Sequence, residues 1–199
     1  MSQAFGTGAA LLLWLGAVVV LRRWRTWLPY YFVASVGFTV FAVLLGRGTV
    51  EPWLAALTAR CASALANGLG MHTRIFSGAV GAILVLVIRQ PVGWTLLNVG
   101  VECSGLLEGA ALAGLTLFYP LWGPGRRLVL LAAALVATEA ANILRVLTII
   151  GLLHWGGKDF LLVAHSLVGR GVFFVVVLGL YWLTLTLPTI DAIARRLRA

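Results

Sequence analysis

Long apolar runs dominate the sequence and determine its predicted elements. Two runs, residues 4–21 and 28–45, contain no charged side chain. Three further runs, residues 104–120, 128–153 and 160–187, have comparable length, but each includes at least one ionisable side chain. A helix needs about 20 mostly apolar residues to cross the hydrocarbon layer of a bilayer. The pattern therefore predicts about five transmembrane helices in a single membrane-embedded domain, residues 1–199.

The segment between the second and third runs has a different pattern. In residues 51–70, a stripe of apolar side chains recurs at helical spacing, which predicts an amphipathic helix lying on the bilayer. The stripe consists of Trp53, Leu54, Leu57, Cys61 and Leu65. Residues 82–88 and a second short run ending at Glu102 flank the turn-forming sequence Gln90-Pro91-Val92-Gly93, and this arrangement predicts a β-hairpin.

Composition excludes most soluble classes of protein. Apolar residues make up 61% of the chain and charged residues only 11%, with a mean hydropathy of +1.02. Soluble domains have about 25% charged residues, so this chain lacks the polar surface that they need. A soluble domain, a nucleic-acid-binding module and a disordered chain are therefore excluded, despite the net charge of +9. The predicted fold class is an all-α polytopic membrane protein with one amphipathic helix and one short hairpin.

The arginines predict an orientation, because short cytoplasmic loops are enriched in basic residues. Eight of the fifteen basic residues form three clusters, after the first, third and fifth apolar runs. They are Arg22, Arg23, Arg25, Arg126, Arg127, Arg195, Arg196 and Arg198. If that face is cytoplasmic, the N-terminus and residues 46–103 are extracytoplasmic. A sixth span through residues 78–88 is the rival interpretation, and it is disfavoured because it carries Arg126 and Arg127 to the outside.

The first apolar run is predicted to stay in the protein as a membrane span. A secretory signal peptide has a basic region before its apolar core, whereas here the basic residues follow it. The expected location is the cell membrane, with several spans.

Three ionisable side chains are predicted to lie at one depth in the membrane. Cys103 stands at the start of the third run. Arg145 lies 18 residues beyond Arg127, or about 27 Å along a helix, and His165 lies six residues, or about 9 Å, beyond Asp159. Ionisable groups within a membrane are costly and commonly functional. Each also has a structural explanation when taken alone, as a buried thiol, a helix-bridging imidazole or a guanidinium that reaches the headgroups.

A thiol close to an imidazole is the arrangement for nucleophilic catalysis. The reactive form is the thiolate, and an imidazole such as that of His165 can remove the Cys103 proton and later deliver it to a leaving amine. Arg145 can stabilise a developing oxyanion or hold a carbonyl, because its charge and its planar fork of donors are fixed. The three residues together therefore predict acyl transfer.

Three short motifs on successive apolar runs carry a resemblance to a known family. Glu102-Cys103-Ser104-Gly105, Asn142-x-x-Arg145 and His165-x-x-x-Gly169 resemble the exosortase/archaeosortase family over residues 75–180. The short chain is similar to the members found in Gram-positive bacteria, although many relatives have alanine where this chain has Glu102.

The resemblance implies a membrane-embedded cysteine protease or transpeptidase. Its expected partners are the lipid bilayer and membrane-anchored precursor proteins that end in a sorting signal, formed by a short motif, an apolar helix and a basic tail. It implies that Cys103, Arg145 and His165 are catalytic and that cleavage occurs at the extracytoplasmic face. Asn142, which shares a helix face with Arg145, and Glu102 are supporting candidates.

Two other classes of function remain open at this stage. One is a non-enzymatic assembly or transport subunit, in which the intramembrane charges only hold the helices together. The other is a membrane thiol acyltransferase that keeps the cysteine nucleophile but takes its acyl group from a lipid. Neither cysteine lies in a zinc-binding spacing, and no metal or cofactor is predicted.

The remaining polar residues are given structural interpretations. A buried ion cluster, turned away from the catalytic side chains, is predicted for Glu108, Glu139 and Arg170. Cys61 is expected to pack within its helix face instead of bridging to Cys103. Both His72 and His154 are expected to be solvated.

Overall fold

The computed structural model describes residues 2–76, 84–90, 93–99, 103–120, 122–190 and 194. The first half comprises α1 (Ser2–Arg23), α2 (Trp27–Gly46), α3 (Val50–Gly68), β1 (Thr73–Phe76), β2 (Leu84–Gln90) and β3 (Gly93–Val99). The second half comprises α4 (Leu106–Leu117), α5 (Pro124–Gly156) and α6 (Arg170–Tyr181). A 3₁₀ turn (Lys158–Phe160) and a π-helical segment (Val163–Gly169) precede α6, and a second π-helical segment (Trp182–Thr186) follows it.

Among the described residues, four helical segments are long and apolar enough to cross a membrane. They are Gly6–Arg23, Trp27–Gly46, Pro124–Gly156 and Val163–Tyr181. This confirms the predicted polytopic, predominantly helical membrane protein. The third predicted span is shorter than expected, because α4 has 12 residues and extends about 18 Å. Its helix begins only after Gly105, so residues 103–105 contribute a turn instead of helix.

Small residues allow α2 and α4 to pack closely. A Cβ atom on Gly114 would lie 2.6 Å from the Ser35 carbonyl oxygen, so only glycine fits this crossing. Ser35 Oγ donates to the Gly114 carbonyl at 3.1 Å, and the Tyr31 hydroxyl donates to the Leu115 carbonyl at 3.1 Å. Small side chains and interhelical hydrogen bonds are the usual means by which membrane helices associate. The contact fixes α4 against the N-terminal pair of helices.

The amphipathic helix predicted over residues 51–70 is confirmed as α3. Its buried face is formed by small residues, including Ala55, Ala59 and Ala62, which pack against α5 and the sheet. The larger side chains of the predicted stripe point elsewhere, since Trp53 and Leu65 are exposed. Alanines on the packed face bring the α3 backbone close to α5.

The predicted hairpin is also confirmed, and a third strand extends it. β2 pairs with β3 in antiparallel register, with Val87 opposite Leu96 and Arg89 opposite Trp94. β1 pairs with the other edge of β2 in the order β1-β2-β3. The inner face of the sheet contributes Leu86, Ile88 and Leu97 to a buried cluster that includes Val146 and Ile149 of α5. The sheet and α3 thus pack on the C-terminal half of α5.

Candidate active site

Cys103 lies in a tight turn that leads into α4. Its side chain is 1% exposed, and the neighbouring Ser104 is fully buried. Ser104 Oγ accepts a hydrogen bond from the Leu106 amide at 3.3 Å, which satisfies one of the unpaired donors at the start of α4. Gly105 has a φ of 71°, in the left-handed region where glycine is favoured. The sequence Cys103-Ser104-Gly105 therefore forms a turn that fixes where α4 begins.

Buried polar side chains hold the backbone of this turn. Asn142 Nδ2 donates to the Cys103 carbonyl oxygen at 2.7 Å and lies 3.1 Å from Thr58 Oγ1. Thr58 Oγ1 in turn donates to Glu139 Oε1 at 2.6 Å. We call Thr58, Cys103, Glu139 and Asn142 the Cys103 network. It joins α3 and α5 to the turn before α4, and Thr58 and Asn142 are fully buried.

Glycine at position 105 is favoured by its backbone conformation and not by a lack of space beside the network. A Cβ atom there would lie 3.4 Å from both Asn142 Nδ2 and Glu139 Oε2, which is ordinary van der Waals contact. Space alone would admit alanine, and the positive φ is what disfavours it.

Arg145 lies one turn beyond Asn142 and contributes to a cleft. Its side chain is only 3% exposed, and its Cζ lies 5.5 Å from the centre of the Phe173 ring on α6. We call the adjoining space, about 390 Å³, the α4/α6 cleft. It is lined by Leu107, Glu108, Arg145, Arg170, Phe173, Phe174 and Val177. A permanently charged guanidinium in a mostly apolar, sheltered cleft is suited to binding a carbonyl oxygen or an oxyanion.

His165 lies in the π-helical segment between the 3₁₀ turn and α6, and its side chain is half-buried. The preceding residue, Ala164, belongs to the same buried cluster as Cys103. Gly169 ends the segment, where a Cβ atom would lie 2.8 Å from Ile149 Cδ1 and 2.9 Å from the Ala164 carbonyl oxygen. Glycine therefore lets this segment approach α5 closely. Widened helical turns of this kind are frequent at functional sites.

The residues predicted from the sequence differ in how directly the structure links them to Cys103. Asn142 and Cys103 are joined directly by a hydrogen bond, and Arg145 follows Asn142 on the same helix. His165 is adjacent to a residue that packs in the Cys103 cluster. Glu102 lies outside the described residues.

The predicted ion cluster is divided between two places. Glu108 and Arg170 line the α4/α6 cleft together with Arg145, whereas Glu139 accepts a hydrogen bond from Thr58 in the Cys103 network. The expectation that these side chains turn away from the site was wrong. It was based on rotation around single helices, but side chains from different helices can meet across a cleft.

The other cysteine and the two remaining histidines lie outside the Cys103 network and the α4/α6 cleft. Cys61 is half-buried, and neither it nor Cys103 forms a disulfide. His72 is exposed as expected. His154 is half-buried, and its Nδ1 lies 3.4 Å from the Arg89 carbonyl oxygen, so it is less solvated than predicted.

Sequence reasoning missed Thr58. It lies on the small-residue face of α3, with Ala55 before it and Ala59 and Ala62 after it, where threonine resembles another packing residue. A hydroxyl on a helix face made mostly of alanine is the signal that points to a buried polar partner.

Comparison with known proteins identifies a family. The profile of the transmembrane exosortase family (Exosortase_EpsH) matches residues 1–183, which is most of the chain. No curated protein matches the chain, and no solved structure matches it either.

Proposed function

Because the chain belongs to the transmembrane exosortase family, we propose that it is a membrane-embedded cysteine protease or transpeptidase that acts on C-terminal sorting signals. The family is one of membrane protein-sorting enzymes, with substrates that are themselves anchored in the membrane. The proposal for this chain assigns the nucleophile to Cys103, the general base and acid to His165, and oxyanion or substrate stabilisation to Arg145.

The proposed reaction is an acyl transfer in two steps. His165 removes the thiol proton, and Cys103 Sγ attacks the carbonyl carbon of the scissile peptide bond. Arg145 stabilises the negative charge that develops on the carbonyl oxygen. The C–N bond then breaks, His165 gives its proton to the leaving amine, and a thioester remains on Cys103. Water or an amine acceptor resolves the thioester and returns the thiol.

The observation that carries this proposal is the hydrogen bond from Asn142 to the backbone of Cys103. A cysteine that serves only as a small apolar residue needs no fixed carbonyl group or polar support. Here a chain of hydrogen bonds through Glu139, Thr58 and Asn142, of which Thr58 and Asn142 are fully buried, supports the main chain at that one cysteine. Placing such groups in a membrane protein requires desolvating them, which is consistent with a functional site.

The shape and lining of the α4/α6 cleft favour a substrate that is anchored in the membrane. Apolar side chains from both of its walls are accessible, with Leu107 and Phe174 exposed. An apolar helix of a precursor can lie against these side chains while its adjacent polypeptide reaches Arg145. The cleft therefore provides an entry from the bilayer, so the substrate need not leave the membrane.

Replacement of the nucleophile tests the proposal, with Cys61→Ser as the matched control. The reporter is a precursor from the same genome that ends in a short motif, an apolar helix and a basic tail. We expect Cys103→Ser to abolish its cleavage and Cys61→Ser to leave it unchanged, with both variants present in the membrane at wild-type levels. Cleavage that persists in Cys103→Ser contradicts the enzyme and favours the assembly-subunit alternative.

In the proposed orientation, the site faces the extracytoplasmic side of the membrane. The Arg22–Arg25 and Arg126–Arg127 clusters would then lie in the cytoplasm. A membrane-impermeant thiol reagent should label an introduced cysteine at Gly48 and miss one at Gly125 in intact cells. The reverse pattern contradicts the orientation, but leaves the chemistry at Cys103 unaffected.

A further inference from the structure

The outer face of the sheet has a pattern that the proposed function does not use. Strand alternation turns Thr73, Ile88 and Thr95 inward, where they are buried. The opposite face carries exposed side chains, which are His72, Arg74, Phe76, Arg89, Trp94 and Leu96. Cationic and aromatic groups therefore share one accessible surface with apolar ones.

Two contacts with α5 show how far along that helix the sheet lies. Asn142 donates to the Cys103 carbonyl, and His154 Nδ1 lies 3.4 Å from the Arg89 carbonyl, at the end of the sheet where Gln90 pairs with Gly93. The 12 residues between Asn142 and His154 correspond to about 18 Å of helix. The Arg89 end of the sheet therefore lies at the C-terminal end of α5, about 18 Å along the helix from the level of Cys103.

The Arg89 end of the sheet lies at the level of the headgroups of a bilayer. His154 is 27 residues beyond Arg127, or about 40 Å along α5. The full thickness of a bilayer with its headgroups is about 40–45 Å. If Arg127 lies at one surface, as its position at the start of a spanning helix indicates, then Arg89 lies at the level of the other.

The cationic end of the sheet encloses a cleft of about 380 Å³. It is lined by Asn67, His72, Thr73, Arg74, Arg89 and Trp94, none of which is acidic. Two guanidinium groups on adjacent strands can contact an anionic oxygen group from two directions, and arginine is well suited to phosphate. Tryptophan is enriched at the depth where headgroups meet acyl chains.

We propose that this Arg74/Arg89 cleft binds the phosphate of a phospholipid from the leaflet on the sheet side of the protein. One acyl chain of the same lipid lies over Leu96 and Phe76. Leu96 is 65% exposed and Phe76 54% exposed, and the strand register places Leu96 level with Arg74 and Phe76 two residues beyond Arg74, away from Arg89. A phosphate above an apolar surface matches a lipid, whereas a free anion or an acidic peptide would leave that surface uncovered.

Native mass spectrometry of the delipidated full-length protein tests the proposal. The probes are phosphatidylglycerol and a diacylglycerol with the same acyl chains, with glycerol phosphate as a soluble competitor. The test variant is Arg74→Gln/Arg89→Gln, and the matched control is Arg47→Gln/Arg60→Gln, which removes the same charge from two other exposed arginines.

The wild-type protein should bind phosphatidylglycerol at least about tenfold more tightly than the diacylglycerol, as expected for one charge-assisted contact or more. The test variant should lose this preference and the control should keep it within about twofold. Arg74→Lys/Arg89→Lys should retain part of the preference, which keeps the test informative if the glutamine variant does not fold.

Three outcomes overturn the proposal. One is equal phosphatidylglycerol binding by the wild type and the test variant. Another is equal binding of phosphatidylglycerol and diacylglycerol by the wild type. The third is displacement of the lipid by glycerol phosphate at a similar concentration, which would identify the cleft as a site for a soluble anion. None of these outcomes depends on peptide cleavage, so the lipid site and the proposed protease activity are tested separately.

Discussion

The polar groups of the Cys103 network are bonded to one another inside the protein, whereas those of the α4/α6 cleft border open space. In the network, Asn142 and Thr58 are fully buried, and the Asn142 amide nitrogen and the Thr58 hydroxyl bond to fixed partners on three elements. In the cleft, Arg145 is supported from one side by Phe173 and borders space that a ligand can enter. The difference indicates a division of roles. The network fixes the main chain at the proposed nucleophile, and the cleft accommodates the substrate.

Substitutions in the network and in the cleft should therefore have different effects on stability and activity. A change in the network should affect both stability and activity, because the same hydrogen bonds join the helices and position Cys103. A change in the cleft or at His165 should affect activity with little change in stability. Variants of the two regions can therefore be compared by measuring cleavage and thermal unfolding in parallel.

The largest effect is expected for His165→Ala. Loss of a general base and acid lowers rates by about 10²–10⁴-fold, so precursor cleavage at neutral pH should almost disappear. In a Cys61→Ser background, alkylation of Cys103 by a small thiol reagent should also slow, and should recover partly as the pH is raised. Cleavage should remain slow at high pH, because the leaving amine still lacks its proton donor.

His154→Ala is the control for that experiment and should leave both rates unchanged. If His165→Ala alkylates as fast as the wild-type protein with the same pH profile, His165 does not activate the thiol. Its role would then be positional or structural.

Arg145→Lys is expected to lower cleavage by about 10²–10³-fold, close to the effect of Arg145→Ala. Lysine retains the charge but loses the planar fork that contacts two acceptors together. Steady-state cleavage measures the effect, and the unfolding temperature should remain near that of the wild-type protein. Arg170→Lys, in the same cleft, is the matched control and should have a much smaller effect. Wild-type activity in Arg145→Lys would show that charge alone suffices.

The sequence was a good guide to elements and a poorer guide to their contacts. Hydropathy predicted the long helices, and turn chemistry predicted the β2–β3 hairpin, because both depend on local pattern. The four-residue strand β1 was missed, since so short a segment has little periodicity of its own. The third span was predicted too long because hydropathy does not reveal the left-handed turn at Gly105.

The contacts within the candidate site were also not predictable from the sequence. The depth of Arg145 along its helix could be estimated from residue counting, and Asn142 could be placed one turn away. Neither count could show that Asn142 bonds the Cys103 carbonyl or that Thr58 links it to Glu139. Those contacts depend on how α3 and α5 pack, which is a tertiary property.

Asn142→Ala should lower both cleavage and stability. The substitution removes the donor to the Cys103 carbonyl and leaves buried polar groups unsatisfied, which costs about 1–3 kcal/mol of unfolding free energy. We expect about a tenfold slower cleavage, measured on protein shown to be folded at the assay temperature. Asn67→Ala is the control, because Asn67 also forms side-chain hydrogen bonds, but to Thr73 at the sheet. Equal effects of the two substitutions on cleavage would contradict a specific role for Asn142.

Thr58→Val should have the smallest effect. Valine preserves the shape but removes the hydroxyl that donates to Glu139, so we expect about 1–2 kcal/mol of destabilisation and a few-fold loss of cleavage. Thr58→Ser should restore most of both. Thr116→Val is the matched control, since Thr116 is equally buried but its hydroxyl bonds within its own helix. If Thr58→Val leaves stability unchanged, the hydrogen bond to Glu139 does not support the network.

Direct detection of the acyl-enzyme tests the central claim. The wild-type protein and a membrane-anchored precursor are mixed, quenched in acid at short times, digested and examined by mass spectrometry. We predict an adduct on Cys103 with the mass of the precursor's new C-terminal peptide, released by neutral hydroxylamine as a thioester would be, and absent from Cys103→Ser. Cleaved precursor without any such adduct, or a lipid-derived acyl group on Cys103 in its place, would contradict peptide transfer through this thiol.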